Sequence, residues 1–359
     1  MSLQPNHSRP CGLCGLSPII WIIHRIGENN ETLAFGVEYV KTENDKIIFS
    51  RFTEQERNSL SYGRNNSFST AGVRIEFETD SKYLKIATSV KESNPDGRNF
   101  YSFDVYCNGS MVGQIKNFNN MPQYPYKKYS LSDRQKSFCL KAGLKRICIY
   151  FPWSVQGMIR EIELDDGAII TPIRKPRKVI MYGDSITQGY DAAKPSLSYA
   201  SRLADMLDAD VINKGIGGSV FMSELTKHKG NILPEFITIA YGTNDWRGSD
   251  FEDFKNRSHT FCENLVNNYP NTLIFVIAPI WRADNNEIHK LGSFSVVADT
   301  LKQIADCRNN LCFIDGFGFI PKDTVYYRDR YLHPNDEGFE LYANALIKEL
   351  HKKVLIWRN

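Results

Sequence analysis

Four short blocks in the C-terminal half of this 359-residue chain carry residue types that can act together on an acyl group. They are Gly183-Asp184-Ser185-Ile186-Thr187, Asn213-Lys214-Gly215-Ile216-Gly217-Gly218, Gly242-Thr243-Asn244-Asp245 and His333-Pro334-Asn335-Asp336. They supply a nucleophile, two kinds of oxyanion donor and a base, the set required for acyl transfer through a covalent serine intermediate. Each block sits just after a predicted strand or just before a predicted helix.

Each residue has a plainer use when taken alone. Ser185 could be a helix N-cap, the commoner fate of a serine between strand and helix. It does not lie in the Gly-x-Ser-x-Gly elbow of α/β-hydrolases, because Gly183 is two residues before it and Thr187 two after. Gly217-Gly218 could be a simple turn, but glycine also lets the backbone approach a ligand closely, with its N–H free to meet an oxyanion. The Asn244 amide is a neutral donor suited to the same charge. His333 has the near-neutral basicity needed to activate a serine hydroxyl. His7, His24, His228, His259, His289 and His351 have no comparable setting and read as surface or structural. It is the four blocks in order that favour chemistry.

The elements that must hold these blocks alternate strand and helix from Lys178 onward. Val179–Tyr182, Val211–Ile212, 236–241, 273–278 and Leu311–Ile314 read as strands with little polar alternation. Helical spacing runs over 196–207, 251–266, 294–305 and 336–352. Five such strands interleaved with helices predict a parallel sheet covered on both faces, and ligands of such sheets bind beyond the carboxyl ends of the strands. From about Thr32 to Ile170 the texture differs. Short runs such as 72–78, 83–88, 103–106, 146–150 and 160–164 alternate apolar and polar residues. Asn94-Pro95-Asp96-Gly97, Asn108-Gly109 and Asp165-Asp166-Gly167 separate some of them as turns, predicting an antiparallel, jelly-roll-like β-sandwich. Residues 171–177, with two prolines, read as the linker. The expected organisation is an extension over 1–31, a sandwich over 32–172 and an α/β domain over 178–359.

Composition narrows the classes of partner. With 44 basic and 41 acidic residues the net charge is only +3, giving no electrostatic reason to expect nucleic acid or an anionic membrane. The run Arg174-Lys175-Pro176-Arg177-Lys178 reads as a solvated linker. The eight cysteines read mainly as buried free thiols; Cys11-Gly-Leu-Cys14 has metal-like spacing but no second pair or histidines to complete a site. No metal and no cofactor are expected. The apolar run 17–23 is too short to span a bilayer and is not followed by a cleavage signal, so a cytoplasmic protein is expected. Oligomeric state is not legible.

Through these blocks the chain resembles the SGNH (GDSL-like) hydrolases. Gly183-Asp184-Ser185-Ile186 looks like their first block, Gly218 their second, Asn244 their third and His333 their last, over about 178–352. The resemblance implies a flavodoxin-like three-layer α/β/α domain that hydrolyses carboxylic esters without metal or cofactor. Ser185 would be the nucleophile, the Ser185 and Gly218 N–H groups and the Asn244 amide the oxyanion hole, and His333 the base. The family's last block usually has aspartate three residues before the histidine. Here that place is Arg330, and Asp329 lies four before. Either Asp329 orients the imidazole from a shifted loop, or a backbone carbonyl does so in a Ser–His dyad. The preceding sandwich resembles the arrangement of carbohydrate esterase family two. Trp246, Trp281 and Asp191 are placed at or near the mouth, where aromatic faces would suit sugar rings; core packing is the alternative for the two tryptophans.

The expected activity is removal of a short acyl group, acetyl first, from a small molecule or oligosaccharide. Lipid esterase, thioesterase and transacylase chemistry on the same site, and an inactive carbohydrate-binding protein, are the competing readings.

Overall fold

The computed structural model describes residues 33–93 and 98–358. The expected extension 1–31, Cys11, Cys14, His7, His24, the apolar run 17–23 and the turn 94–97 lie outside the described residues.

Two antiparallel sheets come first. One has the order Ala34–Phe35, Arg74–Thr79, Lys145–Tyr150, Ser102–Cys107, Ser110–Lys116, with Ile170–Pro172 also on Arg74–Thr79. The other has the order Tyr39–Glu43, Lys46–Ser50, Val155–Leu164, Tyr83–Glu92, Arg134–Cys139. Their alternate apolar residues, among them Ile75, Phe77, Ile86, Phe103, Ile149 and Ile159, enclose one core. Asn108 and Gly109, both with positive φ, turn the hairpin between Ser102–Cys107 and Ser110–Lys116. All five strands read from alternation are present. Lys46–Ser50, Ser110–Lys116 and Arg134–Cys139 were not picked out by it.

The third sheet is five-stranded and parallel. Its order is Ala209–Gly215, Arg177–Gly183, Phe236–Ala240, Leu273–Ile277, Leu311–Ile314, which is 2-1-3-4-5 in chain sequence, the flavodoxin-like order. Successive side chains enter opposite layers. Val179, Met181, Phe275 and Ile277 pack on the side of the helices Tyr199–Met206 and Asp336–Arg358. Ile180, Tyr182, Ile274 and Val276 pack on the side of Phe251–Asn268 and Ser295–Ala305. Burial on both faces explains why these strands show little polar alternation.

The linker is less solvated than expected. Ile170–Pro172 is a sheet strand, and Lys175 reaches Asp208 at 2.8 Å and Glu76 at 3.4 Å. The sandwich and the parallel-sheet domain meet through polar contacts, most of them buried. Arg74 pairs with Asp205 at 2.6 Å, Gly36 N–H donates to Asp210 at 2.7 Å, and Lys214 reaches Glu38 at 2.6 Å and Glu56. Of the described cysteines only Cys262 is fully buried; Cys139 and Cys307 are exposed, which corrects the reading of the thiols as core groups. Among the described residues no helix is long and apolar enough to cross a membrane.

Candidate active site

The strand order explains why three of the blocks meet. Arg177–Gly183 is flanked by Ala209–Gly215 and Phe236–Ala240, in register Gly183↔Gly215 and Gly183↔Ala240. The loops at their carboxyl ends, carrying Ser185, Gly218 and Asn244, are therefore neighbours. Gly183 is needed for this approach, since a Cβ there would lie 2.0 Å from Thr187 Oγ1 and 3.0 Å from the Ala240 carbonyl oxygen. The N-cap of the short helix Ser185–Gln188 is Asp184, whose Oδ1 accepts from Ile186 N–H at 2.9 Å. Ser185 is thus spared the capping role.

His333 arrives from the loop before the last helix. Its Nε2 lies 2.9 Å from Ser185 Oγ, and its Nδ1 lies 2.7 Å from Asp329 Oδ2. The extra residue in the spacing is absorbed by Arg330, which adopts left-handed φ of 60°. That turn lets Asp329 Oδ1 accept the N–H groups of Tyr331, Leu332 and His333 at 2.9, 2.8 and 3.1 Å. Burial alone would raise the Asp329 carboxyl. The bond and charge of His333, with the backbone donors, outweigh it and hold the group at about 2. Burial takes Asp184 the other way, up to about 6, despite the Ile186 N–H and the positive fields of His333 and Arg282. Asp329 is therefore an ionised partner for an imidazolium across the neutral range.

Gly218 has φ of 75°, and a Cβ there would lie 2.7 Å from the Tyr62 hydroxyl. The Asn244 amide donates to the Ser219 carbonyl at 2.9 Å, which fixes the side chain beside Gly218. Both residues line a groove of about 580 Å³ with Tyr62, Val220, Met222 and Arg247.

The proposed mouth residues fare differently. Trp246 is fully buried, with its Nε1 donating to the Gly292 carbonyl and its ring against Phe294, so it is a core residue and not a wall. Its apolar bulk outweighed its place next to Asn244. Asp191 is also fully buried, which corrects its placement at the mouth. It sits behind His333, 3.8 Å from Nδ1, and pairs with Arg98 of the sandwich at 3.0 Å. Trp281 is half-buried against Tyr327.

Arg282 escaped the sequence reading. It is buried, donates to the Thr243 carbonyl and hydroxyl at 2.8 and 2.9 Å, and donates to the Tyr331 hydroxyl at 2.9 Å while paired with Asp284. It ties the Asn244 turn to the His333 loop. Its one visible signal was a cation in the loop after an apolar strand, which a solvated arginine shares.

Residues 181–341 match the model of the GDSL-like lipase/acylhydrolase family. This part of the chain is a GDSL-like lipase/acylhydrolase domain. No curated protein is similar enough in sequence to match. Solved structures similar in fold include a salicylyl-acyltransferase, SsfX3, from a tetracycline biosynthetic pathway, at 20% identity and TM-score 0.76 over 94% of this chain and 96% of that one. A family two carbohydrate esterase from Clostridium thermocellum, solved with cellohexaose, matches at 16% identity and TM-score 0.61 over 80% and 94%. An acetyl xylan esterase, Est2A, from Butyrivibrio proteoclasticus matches at 18% and 0.55 over 80% and 90%. The domain class is that of hydrolases acting on acyl groups, and the fold shared with these structures is a sandwich-like domain followed by the SGNH domain.

Proposed function

We propose that the chain is a serine esterase that removes a short acyl group, acetyl first, from a carbohydrate. The observation that carries the reading is the contiguous chain Ser185 Oγ, His333 Nε2, His333 Nδ1, Asp329 Oδ2, with links of 2.9 and 2.7 Å, while Gly218 and Asn244 stand on the loops of the two strands that flank the Ser185 strand. In the first half-reaction Ser185 Oγ bonds to the ester carbonyl carbon as its proton passes to His333 Nε2. The carbonyl oxygen becomes an oxyanion that accepts from the Ser185 and Gly218 N–H groups and the Asn244 amide. Collapse breaks the bond to the sugar oxygen, which takes the proton back from His333. Water then attacks the acyl-serine by the same steps and releases the acid. Asp329 holds the imidazole with Nε2 toward the serine and stabilises the imidazolium.

The sandwich contributes to the groove through Ser61 and Tyr62, which line it with Gly218 and Asn244. Tyr62 is 55% exposed, and its ring offers a sugar a stacking face. That feature, with the carbohydrate esterases of similar fold, supports a sugar as the alcohol. Transfer of the acyl group to another alcohol uses the same intermediate, and the similarity to an acyltransferase over nearly the whole chain favours testing it.

The experiment is hydrolysis of p-nitrophenyl acetate, butyrate and octanoate by wild type and Ser185→Ala, with and without an added alcohol acceptor. Acetate turnover that vanishes in the variant is expected. Undiminished turnover in Ser185→Ala would remove the serine mechanism, octanoate preference would point to a lipid ester, and acceptor-dependent product would point to transfer.

A further inference from the structure

Gly217 is held through both of its backbone polar groups, and its carbonyl is the oxygen of the peptide that carries the Gly218 N–H. The Gly217 N–H donates to Gln188 Oε1 at 2.7 Å, and the Gly217 carbonyl accepts from Asn66 Nδ2 at 3.1 Å. The Gly217–Gly218 bond is trans. A planar trans peptide points its carbonyl and the following N–H in opposite directions. A group that fixes the Gly217 carbonyl therefore fixes the aim of the Gly218 N–H as well. Donation to that carbonyl also polarises the peptide, strengthening the N–H as a donor on its far side.

Asn66 is not part of the acylhydrolase domain. It begins the single helical turn Asn66–Phe68 that follows Tyr62 in the N-terminal part of the chain, and it is only 7% exposed. Its own carbonyl accepts from Arg51 at 3.2 Å. The Arg51 guanidinium is fully buried and also donates to the carbonyl and hydroxyl of Ser69 and to the carbonyls of Asn213 and Gly215. One side chain thus ties the Asn66 turn to the strand end from which the Gly217-Gly218 loop departs. Gln188, which holds the other side of the same loop, is in turn held by donation to Ser69 and to the Trp153 carbonyl.

We propose that Asn66 is a positioning residue for acyl transfer, aiming and polarising the Gly218 N–H through the Gly217 carbonyl, so that the N-terminal sandwich completes the oxyanion hole. This rests on the assignment of Ser185 and Gly218 made above. A bond serving only the fold would move stability and leave the catalytic constants of the folded enzyme alone. A bond serving the oxyanion acts where charge develops, lowering kcat and the affinity for a tetrahedral anionic adduct in parallel while KM stays put.

The test uses the full chain with Asn66→Ala, Asn66→Asp and Ser185→Ala beside wild type, p-nitrophenyl acetate as substrate and phenylboronic acid as the oxyanion mimic. Asn66→Ala is expected to lower kcat about tenfold, a fraction of the 10²–10³ that loss of a direct donor costs, and to weaken the boronate by a similar factor. In Asn66→Asp the introduced carboxyl can donate only when protonated. Its rate relative to wild type is expected to rise as pH is lowered, a signature that lost packing does not produce. Wild-type kcat and boronate affinity in a folded variant would overturn the proposal. Loss of cooperative unfolding in both variants would overturn it too, because Asn66 would then serve the fold. Turnover persisting in Ser185→Ala would instead remove the reading beneath it.

Discussion

Replacing Asp329 by asparagine separates a triad from a dyad. The carboxylate lies 2.7 Å from His333 Nδ1, and its other oxygen is fixed by three backbone N–H groups. As the serine proton moves, His333 becomes positive. Two unit charges about 4 Å apart at an effective dielectric near 20 attract by about 4 kcal/mol. Because that charge appears only on the way to the transition state, its loss falls on kcat, and about 4 kcal/mol is about 10³-fold. Asp329 is not the only carboxylate in the field of the imidazole, since Asp191 lies 3.8 Å from the same nitrogen. The Asp191 charge, however, is paired with Arg98 at 3.0 Å, so Asp191→Asn should cost tenfold or less. The assay is kcat/KM for p-nitrophenyl acetate at pH 8 for both variants. Stability gives a second readout. The Asp329 carboxyl is lowered from 3.8 to about 2, so its contribution is full above pH 4 and lost as pH falls toward 2. At about 1.4 kcal/mol per unit this is roughly 2 kcal/mol, which Asp329→Asn should forfeit at pH 7. Activity of Asp329→Asn within tenfold of wild type, or a larger loss from Asp191→Asn, would refute the assignment.

Two further outcomes follow from buried charge. Lys214 is buried between Glu38 and Glu56, and Lys214→Met would leave both carboxylates without their cation. A loss of about 3–5 kcal/mol by chemical denaturation is expected, partly restored by adding Glu38→Gln and Glu56→Gln; a loss under about 1 kcal/mol would contradict it. Asp245 is pushed up to about 7, chiefly by burial and only partly offset by the Phe221 N–H and the Arg257 charge. A raised carboxyl binds its proton more tightly in the folded state, so stability falls as pH rises from about 4 to about 7. Asp245→Asn removes that dependence and should gain about 1–3 kcal/mol at pH 8 and almost nothing at pH 4; a difference that does not change with pH would exclude it.

The parallel sheet was legible because its strands are buried on both faces, so most write an apolar run with little polar alternation, and its loops carry residue types with few other uses in that order. The same logic failed for Trp246 and Asp191. A position next to a reacting residue says nothing about which way a side chain points, and both turn inward. Asp329 was ambiguous for a different reason. Counting residues assumes one backbone path, and the left-handed Arg330 takes up the extra residue. The sandwich strands left unread have exposed or mixed faces, as in Arg134–Cys139, where one residue of six is buried. Alternation is weak where neither face is fully covered.

The groups least legible in sequence are those that meet the site from the other sheets. The backs of the catalytic loops carry polar groups that find partners in the sandwich: the Gly217 carbonyl in Asn66, the Asn213 and Gly215 carbonyls in Arg51, and the Asp191 carboxylate in Arg98. Each pair is separated by about ninety residues or more, so no local pattern records it. A buried carbonyl or carboxylate left without its donor costs about 1–3 kcal/mol or more. While these groups stay buried, the acylhydrolase loops depend on the sandwich donors at their backs. In the proposed reaction the same contacts set the aim of the oxyanion donor and the field behind His333. On this view the sandwich belongs to the reaction centre, and a change on its inner surface should register in kcat before it registers in substrate affinity.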